Sequence, residues 1–159
     1  MPESIRDILI RHEGWKRKRY KCSRGRWTIG VGWNIDAWPL PPDISAYEHI
    51  FGEITDDMVS RLLDISITNA THNCLDIFPG FDQFTEPRRF ALIDMCFNLG
   101  AMGLLGFKRM RKAIAAGDWT EAAEQVKDSD YWRQLGGDPA GTDDGKLERP
   151  EEVALMLKG

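Results

Sequence analysis

The chain has 159 residues, 42% of them hydrophobic and 29% charged, with a formal net charge of −4. That length and apolar content suit one compact domain with a full core and exclude a chain disordered by composition. The acidic total argues against a dedicated nucleic-acid-binding protein, and three cysteines, an odd number without zinc-type spacing, imply no disulfide framework.

Ser4 is placed to cap a short helix in which Ile5, Ile8, Leu9 and His12 fall at helical spacing and Gly14 ends the run. Glu13 therefore sits in the last turn or just beyond it. The helix macrodipole disfavours an ionised carboxylate there, a placement suited to a group that must hold a proton. From Lys18 the pattern changes to alternation. Tyr20 and Cys22, a turn at Ser23-Arg24-Gly25, then Trp27, Ile29 and Val31 predict a β-hairpin. Thr28 falls on the opposite strand face from Trp27 and Ile29, and Gly30 and Gly32 leave room for close approach to the backbone. Seven of the eleven residues 16–26 are Lys or Arg. Such a run is usually a solvated face, but on an acidic chain it also suits an anionic ligand met at one side.

Trp38-Pro39-Leu40-Pro41-Pro42 reads as a stiff loop. Thr55-Asp56-Asp57 starts a helix that the apolar series from Met58 to Ala70 carries as far as Asp76, about 30 Å. Phe78-Pro79-Gly80 stops it, and a helix of that length can bridge two lobes. Thr85-Glu86-Pro87 opens the next helix, apolar nearly all round to Leu99 and expected to be the central buried one, with Gly100 as its cap. Helices are predicted over 107–116 and, capped by Asp118, over 119–127. A short segment at 131–135 leads into a Gly/Asp-rich loop over 136–145, and Pro150 begins a last helix to Leu157. The fold class that results is α+β, mostly helical, with no internal repeat.

Eight residues separate Glu13 from Cys22, and five separate Cys22 from Thr28. An acid at a helix edge facing a hairpin hydroxyl and thiol is a hydrolase pattern. Cys22 remains open between thiolate base, nucleophile and a polar neighbour that helps Thr28 hold a water. Lys21 and Arg24 are the charges expected to favour its thiolate, and a small buried hydrophobe is the bland alternative. Cys74 and Cys96 fall on apolar faces and are expected in the core. His12, His49 and His72 share no ligand spacing, so no metal is expected, nor any cofactor. Gly30-x-Gly32 is not a dinucleotide motif, because Ile35 stands where the third glycine would be. The first residues lack the basic stretch and apolar run of a signal peptide, so synthesis in a reducing cytoplasm is the expectation. Val153 to Leu157 is too short to span a bilayer.

With these residues in hand, the chain resembles the phage-type lysozymes of the T-even phage endolysin family, glycoside hydrolase family 24. That family carries a Glu, eight residues, Asp or Cys, five residues and a Thr, here Glu13, Cys22 and Thr28. Tyr20, Gly25 and the stretch from Thr28 to Gly32 match as well. The likeness continues through Arg89 to Gly100, Gly106-Phe107, Trp119 to Ala123 and Asp128-Ser129. It implies a lysozyme-like two-lobe fold, with a β-containing N-terminal lobe over 13–54, a connecting helix over 55–76, and a helical C-terminal lobe over 77–159 joined by the N-terminal helix, the cleft lying between the lobes. It also implies a muramidase acting on bacterial peptidoglycan with inverting outcome, in which Glu13 is the general acid, Cys22 and Thr28 handle water, and Asn34, Phe97 and Gln125 contact the saccharide. An endolysin made in the host cytoplasm would act on the wall after a holin or similar membrane-opening partner releases it, as a monomer without stable membrane insertion. Two departures stand out: the Gly/Asp-rich loop is longer than in the family's best-known members, and Arg149 is followed by Pro-Glu-Glu where relatives are more basic.

Two other classes compete. A lysozyme-fold module that only binds wall glycan is motivated by the missing second carboxylate. A nucleic-acid-binding domain would use the run 16–26 with Trp15, Tyr20 and Trp27 interleaved, but the acidic total and the lack of a second basic stretch weigh against it.

Overall fold

Capping chemistry sets the first element. In this computed structural model, which describes residues 2–134 and 149–159, Ser4 and Asp7 form a capping box. The Ser4 hydroxyl accepts the Asp7 N–H at 3.2 Å and the Asp7 carboxylate accepts the Ser4 N–H at 3.3 Å. Helix α1 (Ile5–Glu13) follows and closes at Gly14, whose N–H donates to the Ile10 carbonyl at 2.8 Å. The basic run then becomes strand β1 (Lys16–Lys21), paired antiparallel with β2 (Trp27–Gly30), which pairs in turn with β3 (Trp33–Asn34). The hairpin is as expected, but β2 ends at Gly30 rather than including Val31, and the short third strand was not foreseen. Gly30 has φ +68° and Gly32 φ +66°, a left-handed conformation that glycine adopts without strain and that turns β2 into β3. A Cβ on Gly30 would lie 3.6 Å from Val59, an ordinary contact, so backbone conformation rather than space requires the glycine.

Only the last residue of the expected stiff loop, Pro42, is helical, and it opens a helix that was not foreseen. Helix α2 (Pro42–Phe51) begins on Pro42 itself, because a first-turn residue has no helical N–H bond to lose. Helix α3 (Asp56–Ile77) starts as predicted, with the Thr55 hydroxyl accepting the Met58 N–H at 3.1 Å. At 22 residues it is about 33 Å long. After a 3-10 turn (Phe81–Gln83) come α4 (Glu86–Leu105), α5 (Lys108–Ala115), α6 (Trp119–Lys127), α7 (Asp130–Gln134) and α8 (Arg149–Lys158). Gly100, at φ +73°, breaks α4 where a cap was expected, and the chain resumes a helical turn beyond it. The predicted Gly/Asp-rich loop at 136–145 lies outside the described residues.

The chain divides into two compact units, Met1–Thr68 and Asn69–Gly159, and α3 runs from the first into the second. In the first unit Ile29, Ile44, Ile54, Val59 and Leu62 are essentially fully buried. Arg6 ties α1 to α3 through Asp64 and Ser60. In the second, α8 packs on α4 and α6, and α5 on α6. The run from Ala91 to Cys96 on α4 is wholly buried, as its all-round apolar pattern predicted. The fold is thus α+β and lysozyme-like, mostly helical with one small antiparallel sheet. Among the described residues, no single helix is long and apolar enough to cross a membrane.

One charge pair stands inside the second unit. Asp94 on α4 is completely buried, and Arg149 at the start of α8 donates to its two carboxylate oxygens at 3.1 and 2.9 Å. Breaking a buried, hydrogen-bonded ion pair by removing one partner is strongly destabilising. Asp94→Ala is therefore expected to lose about 3–5 kcal/mol of stability, read as a lower urea midpoint at unchanged slope.

Candidate active site

The first unit brings four of the expected residues onto one small sheet and the helix before it. Strand register fixes the central row. Thr28 on β2 is paired with Tyr20 on β1 and with Asn34 on β3. Directly paired residues share a sheet face, so Tyr20, Thr28 and Asn34 form one row, and Thr28 in its middle is 4% exposed. A bulge between Lys16 and Tyr20 sets this register. The Asn34 side-chain oxygen accepts the Ala37 N–H at 3.2 Å, which fixes its orientation and leaves the amide NH2 as its donor.

Cys22 lies just past the end of β1 and is half-buried. Its N–H donates to the Arg26 carbonyl at 3.0 Å, and its own carbonyl accepts the Gly25 N–H at 2.8 Å, closing a tight turn. Burial is the largest single influence on the thiol and acts to raise its pKa. The N–H groups of Arg26 and Arg24 and the Thr28 hydroxyl, all donating to the sulfur, together with the charge of Arg26, outweigh it, so the thiol is held below its ordinary value. The causes differ from those expected from sequence. Backbone donors of the turn do most of the work, whereas Lys21 is turned onto the Trp27 ring, 5.2 Å from its centroid. The Thr28 hydroxyl has two acceptors in reach, the Arg26 carbonyl at 3.0 Å and the Cys22 sulfur, and its one proton serves one of them at a time.

Glu13 is the last residue of α1 and is half-buried. Burial, and then the nearby negative charges of Glu13 and Cys22, push the Tyr20 phenol above its ordinary value. One ring thus feels both the helix-end carboxylate and the turn sulfur. The sequence reading gave Tyr20 no catalytic or saccharide-binding role, and its place in the row depends on register. Trp15, next but one to Glu13, donates its indole N–H to Asp56 at 2.8 Å and so binds the loop after α1 to the start of α3.

The basic run is divided in its use. Arg17 donates to the Ile54 carbonyl at 2.9 Å and pairs with Glu53 at 3.0 Å, and Arg19 pairs through Nε and Nη2 with Glu48, a residue only 8% exposed. These two arginines hold the sheet to α2 and the loop after it rather than facing a ligand.

Phe97 and Gln125 lie in the second unit, on α4 and α6, both half-buried. The Gln125 amide donates to Glu121 at 2.6 Å. Asn98, beside Phe97, has a buried side-chain oxygen with no hydrogen-bond partner among the described residues. An acceptor left in that state is costly unless a donor reaches it, a signal that only coordinates reveal. Cys74 and Cys96 are core residues, 0% and 3% exposed, in side-chain contact with each other. Among the described residues, no three His, Cys, Asp or Glu side chains converge as a metal site needs.

The mostly helical fold with its one small antiparallel sheet is that of the lysozyme class. Comparison with known sequences agrees. The phage lysozyme family model matches residues 10–145, and the chain belongs to that family. Its relatives include two probable T4-type lysozymes of Dictyostelium discoideum. Lysozyme 1 is 29% identical over 84% of this chain and 88% of its own length, and lysozyme 2 is 26% identical over 82% and 86%. The pre-baseplate central spike protein Gp5 of Enterobacteria phage T4 is also similar, 26% identical over 84% of this chain, which spans only 26% of the length of that protein.

Proposed function

We propose that this chain is a muramidase, hydrolysing the β-1,4 bond between N-acetylmuramic acid and N-acetylglucosamine in bacterial peptidoglycan. The observation that carries the reading is the row Tyr20–Thr28–Asn34, with the polarised Cys22 sulfur touching Thr28 and the Glu13 charge felt at Tyr20, in a chain of the phage lysozyme family. Glu13 gives its proton to the leaving glycosidic oxygen as the bond from C1 breaks. Water adds to C1, oriented by the Thr28 oxygen. The proton that water releases passes to the Cys22 side, where backbone N–H groups favour a negative sulfur. Asn34, Phe97 and Gln125 are the saccharide contacts that the family resemblance supports. The same resemblance supports a monomeric endolysin that reaches the wall through a membrane opened by a holin-type partner.

Cys22 also motivates a second reading, a module that binds wall glycan without turning it over, because a thiol stands where a second carboxylate would serve. Incubating the purified chain with sacculi, reducing the products with borohydride and weighing the muropeptides separates the two. A muramidase releases fragments ending in reduced N-acetylmuramic acid. Co-sedimentation with sacculi and no new reducing ends would leave only the binding module.

A further inference from the structure

The second unit holds a cavity of about 700 Å³ that the proposed reaction does not use. Phe78 and Ile114, 2% and 6% exposed, contribute to its apolar side. Its polar side carries four cations: Arg88 from α4, and Lys108, Arg111 and Lys112 from α5. The three on α5 stand at i, i+3 and i+4, so they share one helix face. Among the described residues, no carboxylate lines the cavity. The neighbouring acids are engaged elsewhere or start a helix: Asp118 caps α6 by accepting the Glu121 N–H at 3.0 Å, Asp82 accepts from the Gln83 amide at 3.0 Å, and Glu86 lies in the first turn of α4.

Among the described residues, the ion pairs of this unit join Lys127 and Lys158 to Glu124, Arg133 to Asp130 and Arg149 to Asp94. None of the four cavity cations takes part. Two of them are nevertheless held in place. Arg88 donates to the Leu157 and Lys158 carbonyls at 3.1 and 3.3 Å and lies over the Trp119 ring, 4.4 Å from its centroid, while the Phe84 ring meets Trp119 edge to face. Arg111 donates through Nη1 to the Leu105 carbonyl at 3.1 Å, but its Nε is buried and has no hydrogen-bond partner among the described residues.

Four cations lining one cavity with no counter-charge among the described residues of its lining, in a chain whose net charge is −4, require a reason. So does a buried guanidinium donor left unused. A multivalent oxyanion answers both, since it accepts several charge-assisted hydrogen bonds at once. The volume lies within the range of small-molecule sites, about 300–1,000 Å³, and exceeds what a bare inorganic ion fills, so the anion would carry an organic body against the apolar side. We propose that this cavity binds a phosphate ester, with the phosphoryl oxygens on Arg111, Lys108 and Lys112 beside Arg88. The ester can reach it as a soluble polyol phosphate or as the headgroup of a glycerophospholipid.

The test titrates the full chain, at constant ionic strength, with inorganic phosphate and with glycerol 3-phosphate, following the Arg111 Nε–H signal by NMR. Saturable shifts are expected, with the ester binding more tightly than the inorganic ion. Lys108→Gln combined with Lys112→Gln, both at exposed positions, is expected to weaken binding about tenfold or more, and Arg111→Lys to do the same. Unsaturable shifts, or affinities unchanged in both variants, would overturn the proposal. Co-sedimentation with phosphatidylglycerol vesicles, lost in the double lysine variant, assigns the headgroup as the source; ester binding without co-sedimentation assigns the soluble phosphate. The double variant should clear sacculi at the wild-type rate, so failure here leaves the muramidase reading standing, and the reverse holds too.

Discussion

Replacing Glu13 with Gln is expected to lower the rate of sacculus clearing by about 10²–10⁴-fold while leaving the fold and glycan binding intact. The substitution keeps the shape of the side chain and its capacity to hydrogen-bond. It removes only the proton that the leaving oxygen needs. In rate terms the loss corresponds to about 3–5 kcal/mol of transition-state stabilisation. The position supports the expectation: Glu13 closes α1, is half-buried, and exerts its charge on Tyr20, which pairs across the sheet with Thr28. Turbidity loss of purified sacculi gives the rate, and co-sedimentation with the same sacculi gives binding. Clearing at the wild-type rate by the Gln variant would remove Glu13 from the chemistry. Loss of binding together with loss of rate would instead make Glu13 a substrate contact.

Local signals were the ones most easily read along the chain. Ser4, Thr55 and Asp118 announce helix starts because their side chains satisfy orphan N–H groups within three residues, and all three do so. The hairpin was legible from alternation. The third strand was not, because Trp33–Asn34 is too short to show a period. Helix α2 was hidden by its own prolines, which forbid a helix interior yet suit its first turn. At the site, spacing alone picked out Glu13, Cys22 and Thr28, but register was needed to align Tyr20 and Asn34 with Thr28. The basic run forms an exposed strand, as a solvated face should, but the use of two of its arginines was hidden for a similar reason. Arg17 and Arg19 have partners at Glu53 and Glu48, some thirty positions further on, and no local pattern reveals that the fold returns these carboxylates to the strand. Side chains were likewise the visible candidates for tuning Cys22, whereas the turn brings main-chain donors to the sulfur.

Cys22 supplies the other large effect, and it is a pH effect. With its thiol held below the ordinary value by the Arg26 and Arg24 N–H groups, the Thr28 hydroxyl and the Arg26 charge, against burial that acts the other way, a larger thiolate fraction exists near neutral pH than in a free cysteine. If the thiolate receives the water proton while Glu13 donates its own, clearing should follow a bell-shaped pH profile with one inflection set by Cys22, below the ordinary thiol value of about 8.5. Cys22→Ser cannot ionise in this range, so it should lose that inflection and about 10²-fold in rate. Cys22→Asp should keep activity and move the inflection towards about 4, the carboxylate range. The stability effect has the same sign. An acidic group whose value is lowered on folding stabilises fully above its unfolded value, and that contribution fades as pH falls through the folded one. The melting temperature of the wild-type chain, relative to Cys22→Ser, should therefore climb as pH rises through the window between the lowered value and the ordinary one, by a small amount because the sulfur is partly solvated. Superimposable pH–rate profiles for the wild-type and Ser chains would show that the sulfur carries no proton in the reaction, leaving Thr28 alone to position the water.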